Sequence, residues 1–206
     1  MRIISEQETN KPKKKKRVRR RINYKVIGVL TVVAVVIGIS LAFQLNTVQR
    51  RVVYPYPYRE TVRHYAEKYG VDSNLAAAVI KAESKFEHTA KSYRGALGLM
   101  QIMPDTGDWI ADQLDEDNYS NEILLTPETN IRYGVWYLST LAREFKNNEV
   151  LTLAAYNAGR GNVHAWMEEY GWDYDFGDVD AIPFAETREY VRRVLKHKNK
   201  YYELYR

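Results

Sequence analysis

Glu83 follows an apolar stretch at helical spacing. Leu75, Val79 and Glu83 are four residues apart, so on a helix the carboxylate shares a face with the apolar side chains. Burial disfavours the charged form of a carboxyl group and raises its pKa, which suits a group that donates a proton near neutral pH. An isolated glutamate in this position is more often an ordinary ion-paired residue. Its apolar neighbours nevertheless favour a general acid, and the chemistry indicated is cleavage of a glycosidic bond.

The segment after Glu83 has the composition of a turn-rich loop. Gly95 and Gly98 allow the backbone to approach a ligand closely, and Gln101 offers both a donor and an acceptor to sugar hydroxyl or acetamido groups. The apolar side chains of this loop are expected to fill the core: Leu99, Ile102 and Met103. The loop therefore predicts a sugar-binding element beside the acid.

Three motifs follow one another along the chain. They are Glu83-Ser84 with Ala90–Ala96 and Gly98–Pro104, then Ala155-Tyr156-Asn157-Ala158-Gly159, and last Pro183-Phe184 with Glu186-Thr187-Arg188 and Tyr190-Val191. Together they resemble the signature of the lytic transglycosylases of the soluble-lytic-transglycosylase (SLT) type, over roughly residues 58–205. The resemblance implies a mainly α, lysozyme-like domain. It also implies cleavage of peptidoglycan between N-acetylmuramic acid and N-acetylglucosamine, with a 1,6-anhydromuramic acid product.

The same resemblance assigns roles to individual residues. It implies that Glu83 is the single acid/base, which protonates the glycosidic oxygen and later takes the proton of the C6 hydroxyl group. Other motif positions are expected to bind substrate, with Glu186 near the catalytic centre: Ser92, Met100, Gln101, Tyr156, Asn157, Glu186 and Tyr190. The 4 histidines lie apart and cysteine is absent, so we expect neither a metal nor a cofactor.

A single carboxylate is chemically sufficient if the acetamido group of the substrate attacks the anomeric carbon, because water is then not the nucleophile. Two alternatives stay open. The first is a hydrolase on the same fold, similar to goose-type lysozymes, in which Asp105 or Glu186 activates water. The second is a non-catalytic glycan-binding scaffold in a cell-envelope protein complex.

Charge is distributed unevenly along the chain of 206 residues with net charge +5. Residues 1–50 hold 12 Lys/Arg against 2 Asp/Glu, and residues 51–206 hold 19 against 24. A nucleic-acid-binding domain carries its positive charge on the fold, so the composition argues against nucleic acid as a partner. The basic block at 11–21 resembles a nuclear localisation signal when it is read alone.

The residues after that block change its interpretation. Residues 26–43 are 18 residues without a charge, a length that suits a membrane span. The positive-inside rule then predicts a basic cytoplasmic tail at 1–25, a span in the lipid bilayer at 26–43, and the rest outside the cell membrane. A cleaved signal peptide is the alternative, with Ser40-Leu41-Ala42 as its cleavage site. The length of the apolar run favours an uncleaved anchor.

Beyond the span we predict a stalk at 44–57, because the prolines of Tyr54-Pro55-Tyr56-Pro57 disfavour helix. A catalytic domain at 58–206 follows, with helical patterns throughout. The expected helices are 58–69, one that carries Glu83, 104–114, 127–145, 149–157, 162–170 and about 184–205. No alternating run is long enough for a sheet, so the fold class is mainly α.

Overall fold

The computed structural model describes residues 24–206, so most of the basic tail predicted for 1–25 lies outside the described residues. The chain divides at Gln44 into two compact units. The first contributes helix α1 (Tyr24–Gln44). The second is Leu45–Arg206, called the C-terminal unit below.

Helix α1 consists of apolar residues along nearly its whole length. Its stretch Tyr24–Ala42 is long and apolar enough to cross a membrane, by length and composition. A signal sequence near the N-terminus would meet the same two criteria. The predicted apolar helix is therefore present.

The C-terminal unit is built from helices and loops. Its elements are α2 (Asn46–Val48), a π-helical turn (Gln49–Val53), α3 (Arg59–Tyr69), α4 (Ser73–Glu83), α5 (Pro104–Gln113), a 3-10 turn (Asn121–Leu125), α6 (Pro127–Glu144), α7 (Glu149–Ala158), α8 (Arg160–Tyr170), a 3-10 turn (Val179–Ala181) and α9 (Ala185–Tyr205). Between residues 24 and 206 the β contacts are two isolated bridges in the loop after α4. The mainly α prediction is confirmed.

Helix α4 forms the centre of the C-terminal unit. Its residues from Leu75 to Ile80 are all buried, as expected for a helix that is apolar on every side. Asp72 caps its N-terminus, since the Asp72 carboxylate accepts the backbone N–H of Asn74 at 2.8 Å. It packs against α3 and α9, and α9 also packs against α7. Glu83, the last residue of α4, is therefore presented by a helix that is surrounded by others.

The predicted stalk is wrong, because residues 45–57 belong to the C-terminal unit. Tyr205 Oη, at the end of α9, shares its single hydrogen between the carbonyl oxygens of Tyr54 at 2.7 Å and Arg50 at 3.2 Å. Tyr201 Oη donates to the Pro55 carbonyl oxygen at 3.0 Å. The prolines do prevent regular helix, but Tyr54 and Tyr56 beside them supply apolar surface that packs on Tyr201 of α9.

Candidate active site

Glu83 opens onto a cleft of about 530 Å³. The cleft is lined by side chains from α4, the loop after it, α7 and the first turn of α9: Glu83, Ser92, Tyr93, Arg94, Ala96, Gln101, Met103, Tyr156, Asn157 and Glu186. Six of the predicted site residues are in this set. Met100 and Tyr190 are not.

The Glu83 carboxyl group is partly buried, and its protonation is shifted accordingly. Burial raises its pKa from 4.5 to about 7, because the charged form loses hydration. A hydrogen bond from Tyr190 and the positive charge of Arg193 lower the pKa of Glu83. The negative charge of Glu186 raises it. A substantial fraction of Glu83 is therefore protonated at neutral pH, as a general acid requires.

Tyr190 touches Glu83 from inside the protein. Its side chain is 2% exposed and does not line the cleft, so the structure does not place this residue where contact with substrate was predicted. Its hydroxyl group acts on Glu83 as a weak hydrogen-bond donor, which lowers the pKa of Glu83, although it makes no hydrogen bond of regular geometry to any residue in 24–206. Burial holds the pKa of Tyr190 well above its ordinary value, so the hydroxyl group stays neutral. Tyr190 is thus a positioning residue behind the acid.

The loop after α4 is held in place by two buried polar side chains. Ser84 Oγ accepts the N–H of Phe86 at 3.1 Å and donates to the carbonyl oxygen of Leu99 at 2.8 Å. Asn130, on α6, is fully buried. Its amide accepts the N–H of Met100 at 2.7 Å and donates to Leu97 and Leu124 carbonyl oxygens at 2.9 and 2.7 Å. Asn130 was not predicted, because in the sequence it is only an amide residue at an otherwise apolar position of a helix.

The two methionines of the loop exchange their predicted roles. Met100 is fully buried, and a Cβ atom on Gly134 would lie 2.3 Å from its Sδ atom, so Met100 fills the core and does not line the cleft. Met103 is 41% exposed and lines the cleft, although a core position was predicted. The exchange arises because Gln101 adopts a left-handed backbone (φ +48°), which turns the chain between the two residues. Helical or strand spacing cannot reveal such a turn.

Gln101 and Ser92 present polar groups to the cleft with part of their hydrogen-bonding capacity already used. Gln101 Nε2 donates to the carbonyl oxygens of Gly98 and Ala90 at 2.8 and 3.2 Å. Its Oε1 atom is thereby oriented as an acceptor for a ligand N–H or O–H group. Ser92 Oγ accepts the N–H of Ala96 at 2.9 Å, which leaves its hydroxyl hydrogen for a ligand.

Tyr156 and Asn157 reach the cleft from the last turn of α7. Tyr156 Oη donates to the Met100 carbonyl oxygen at 2.9 Å, so its oxygen can only accept from a further partner. Thr187 Oγ1 donates to Asn157 Oδ1 at 2.8 Å and thereby fixes the orientation of that amide. Thr187 belongs to the third motif, but its role was not predicted, because residue spacing does not reveal a contact from α9 to α7.

Glu186 lies in the first turn of α9, on the same cleft as Glu83. It is exposed, and its Oε2 atom is 3.7 Å from a guanidinium nitrogen of Arg94. Asp105 does not line this cleft. Of the two acids predicted as possible activators of water, the structure therefore brings only Glu186 into the cleft with Glu83. Between residues 24 and 206 no group of three or more His, Cys, Asp or Glu side chains lies close enough together to hold a metal ion.

Comparison with known sequences identifies the family of this chain. The family described as "Transglycosylase SLT domain" matches residues 60–176, which include Glu83 and the first two motifs. The chain belongs to this family. It is 38% identical over 146 residues to the soluble lytic murein transglycosylase of Escherichia coli (strain K12), covering 70% of this chain and 23% of that protein. It is 30% identical over 168 residues to the membrane-bound lytic murein transglycosylase C of Actinobacillus pleuropneumoniae serotype 5b, covering 70% and 45%.

Solved structures of this family share the fold. The lytic transglycosylase Slt of Pseudomonas aeruginosa, as an inactive mutant, superposes with a TM-score of 0.67 at 34% identity over 75% of this chain and 25% of that one. The 70-kDa soluble lytic transglycosylase in complex with bulgecin A gives 0.68 at 35% identity over 73% and 25%. This SLT chain thus spans about a quarter of the length of several relatives that it matches. The lysozyme-like (SLT) fold expected from the sequence is confirmed.

Proposed function

We propose that the chain is a peptidoglycan lytic transglycosylase in which Glu83 is the only acid/base. The observation that carries the proposal is a carboxyl group with a pKa of about 7 on a cleft lined by sugar-binding side-chain types. Protonated Glu83 donates to the oxygen of the bond between N-acetylmuramic acid and N-acetylglucosamine. The resulting carboxylate then takes the proton of the C6 hydroxyl group, which closes the 1,6-anhydro ring.

The surroundings of Glu83 support both halves of this cycle. Burial favours the protonated form that the first step needs, while Tyr190 and Arg193 favour the charged form that exists between the steps. A pKa near the working pH allows one group to serve as acid and then as base. Gln101 and Asn157, whose amides are fixed by the protein, would hold the sugars while the proton moves.

Product analysis tests the proposal. The full chain in detergent is incubated with peptidoglycan, and we expect fragments that end in 1,6-anhydromuramic acid. Glu83→Gln should lower the rate by about 10²–10⁴-fold, the usual contribution of a general acid. Glu67→Gln, an exposed glutamate on α3 outside the cleft, is the matched control and should keep wild-type activity. Undiminished cleavage by Glu83→Gln would contradict the assignment.

A goose-type hydrolase is a second candidate, and one observation favours it: Glu186 lines the cleft with Glu83. In that reaction Glu186 would activate water, and the products would be reducing sugars. Each would be heavier than the anhydro product by about 18 mass units, the water added in hydrolysis. Mass spectrometry of the fragments separates the two reactions. The exposed ion pair of Glu186 with Arg94 suits a general base less well than a buried carboxylate would.

We further propose that α1 anchors the chain in the cell membrane with its N-terminus in the cytoplasm. The apolar length of Tyr24–Ala42 and the basic block at 11–21 support this topology. The protein should then resist extraction by carbonate, and protease added outside spheroplasts should digest the C-terminal unit. Release of the chain by carbonate, or recovery of a form that lacks α1, would indicate a cleaved signal sequence.

A further inference from the structure

The cleft continues past Gln101 into two smaller hollows. The first, of about 200 Å³, shares four lining residues with the cleft: Gln101, Met103, Tyr156 and Asn157. The second, of about 240 Å³, shares Thr106 and Tyr137 with the first. We call the second one the distal hollow, and it is lined by Asp105, Thr106, Trp109, Tyr137 and Arg160. A long ligand that lies in the cleft can therefore extend into it.

Aromatic rings form a wall of the distal hollow. Trp109 packs on Trp136 with ring centroids 5.5 Å apart and on Tyr137 at 6.1 Å. Tyr137 in turn packs on Tyr156, the cleft residue, at 5.7 Å. These contacts hold Trp109 and Tyr137 in place while both stay partly exposed. The wall thus offers apolar surface to sugar rings or methylene chains.

The same hollow carries one acidic and one basic side chain that do not neutralise each other. Arg160 Nε lies 3.1 Å from Glu144 Oε1. The same carboxylate oxygen lies 2.6 Å from His164 Nε2. The pairing through Nε orients the guanidinium group and leaves its two terminal nitrogens for a ligand. Asp105 is exposed and forms no ion pair within the described residues, including with Arg160. The hollow therefore has separate places for an anion and a cation.

We propose that the distal hollow binds the zwitterionic end of a peptidoglycan peptide stem and so determines which stems are accepted. The ligand class is an amino-acid end that carries a carboxylate and an ammonium on one carbon atom. Arg160 binds the carboxylate, Asp105 binds the ammonium, and the methylene chain lies on Trp109 and Tyr137. The inference rests on the proposed function in one respect, since the stem is attached to the glycan in the cleft.

A binding experiment tests the inference without relying on catalysis. The probe is a free stem peptide that ends in a diaminodicarboxylic acid, titrated into the full chain in detergent and followed by calorimetry. Two further probes have either the terminal carboxylate amidated or the terminal amine acetylated. We expect each modification to weaken binding about fivefold, the upper range for a solvent-exposed ion pair. Equal affinity for the three peptides would overturn the inference.

Variants assign each end of the ligand to its residue. Arg160→Gln should weaken binding of the unmodified peptide about fivefold and abolish the effect of amidation, and Asp105→Asn should abolish the effect of acetylation. Arg160→Lys keeps the charge and should retain the response to amidation. The matched controls are Arg143→Gln and Asp112→Asn, exposed residues on α6 and α5 outside the hollow, which should behave as wild type. Loss of discrimination in these controls would contradict the assignment.

Digestion experiments separate this inference from the proposed function. If the peptides are discriminated but no anhydro product forms, the proposed function fails and the stem site stands. If anhydro products form and the three peptides bind equally, the stem site fails alone. For a site that acts on stems, intact peptidoglycan should be cleaved in preference to glycan stripped of peptides. Arg160→Gln should reduce that preference.

Discussion

The Glu83 carboxyl group becomes partly buried when the protein folds, and Glu83→Gln replaces it with a side chain that does not ionise. Burial raises its pKa from 4.5 to about 7, so between these pH values the native state holds a proton that the unfolded state releases. This difference between the two pKa values corresponds to about 3 kcal/mol of folding free energy, at about 1.4 kcal/mol for each tenfold change in proton affinity. Because the shift is upward, the stability of the wild type falls as pH rises through this window. Gln does not ionise and is spared this loss.

The expected result is a stability difference that depends on pH. At about pH 4 the variant and the wild type should have nearly equal free energies of unfolding, because Glu83 is protonated in both states. At about pH 8 Glu83→Gln should be more stable by up to about 3 kcal/mol, while it loses activity. Urea unfolding of the full chain in detergent measures this, with tryptophan fluorescence as the signal. The 4 tryptophans all lie in the C-terminal unit, so the signal reports on that unit.

Glu186→Gln is the matched control for this experiment, because Glu186 is exposed and its removal should change the free energy of unfolding little at either pH. A difference between Glu83→Gln and wild type that is the same at both pH values would refute the reasoning. So would a variant that is less stable than wild type at about pH 8. Either result would mean that Glu83 is well solvated or satisfied by hydrogen bonds.

The activity of the wild type should fall as pH rises above about 7, because Glu83 must be protonated. Glu186→Gln should move this fall to lower pH and Arg193→Gln to higher pH, as seen in pH profiles of the cleavage rate. Gly98→Ala should destabilise the protein by about 2–4 kcal/mol in urea unfolding, since the new Cβ would lie 2.2 Å from a carbonyl oxygen at φ +76°. Tyr205→Phe removes the hydroxyl hydrogen that the Tyr54 and Arg50 carbonyl oxygens share and should lower the free energy of unfolding by about 1–2 kcal/mol in the same measurement.

The predictions for pH dependence, Gly98 and Tyr205 can each be contradicted by a specific result. An unshifted pH profile in both charge variants would place the titrating group elsewhere than Glu83. Gly161→Ala adds a Cβ atom in open space and should be tolerated, so equal losses for the two glycines would argue against a steric cause at Gly98. Tyr202→Phe is the control for Tyr205→Phe and should leave the free energy of unfolding unchanged, because Tyr202 is half exposed. If Tyr205→Phe also leaves the free energy of unfolding unchanged, the Tyr205 hydroxyl group does not hold residues 45–57 in place.

The sequence predicted what depends on local spacing. The apolar periodicity of α4 identified both the helix and the face that carries Glu83, because burial and helical period act on the same few residues. Capping and turn residues also located α6, which begins with Pro127 after Thr126. Six of the site residues predicted from the motifs line one cleft.

The errors concern features that depend on contacts between distant parts of the chain. The left-handed turn at Gln101 exchanged Met100 and Met103, and the Met100 N–H beside it is bound by Asn130, 30 residues beyond Met100 on α6. Tyr190 was expected on the cleft because it matches a family motif position, but its place on α9 buries it in the core. The segment 45–57 looked like a stalk because its docking surface on α9 is about 150 residues distant in sequence.

The hydrogen bonds from Tyr205 to Arg50 and Tyr54 have a consequence for how this unit can be combined with other proteins. They place the beginning and the end of the C-terminal unit beside each other. A unit with adjacent ends can be inserted into a loop of another protein, or have its ends joined and new ones opened elsewhere, with little effect on its core. This property suits a building block that larger chains can incorporate.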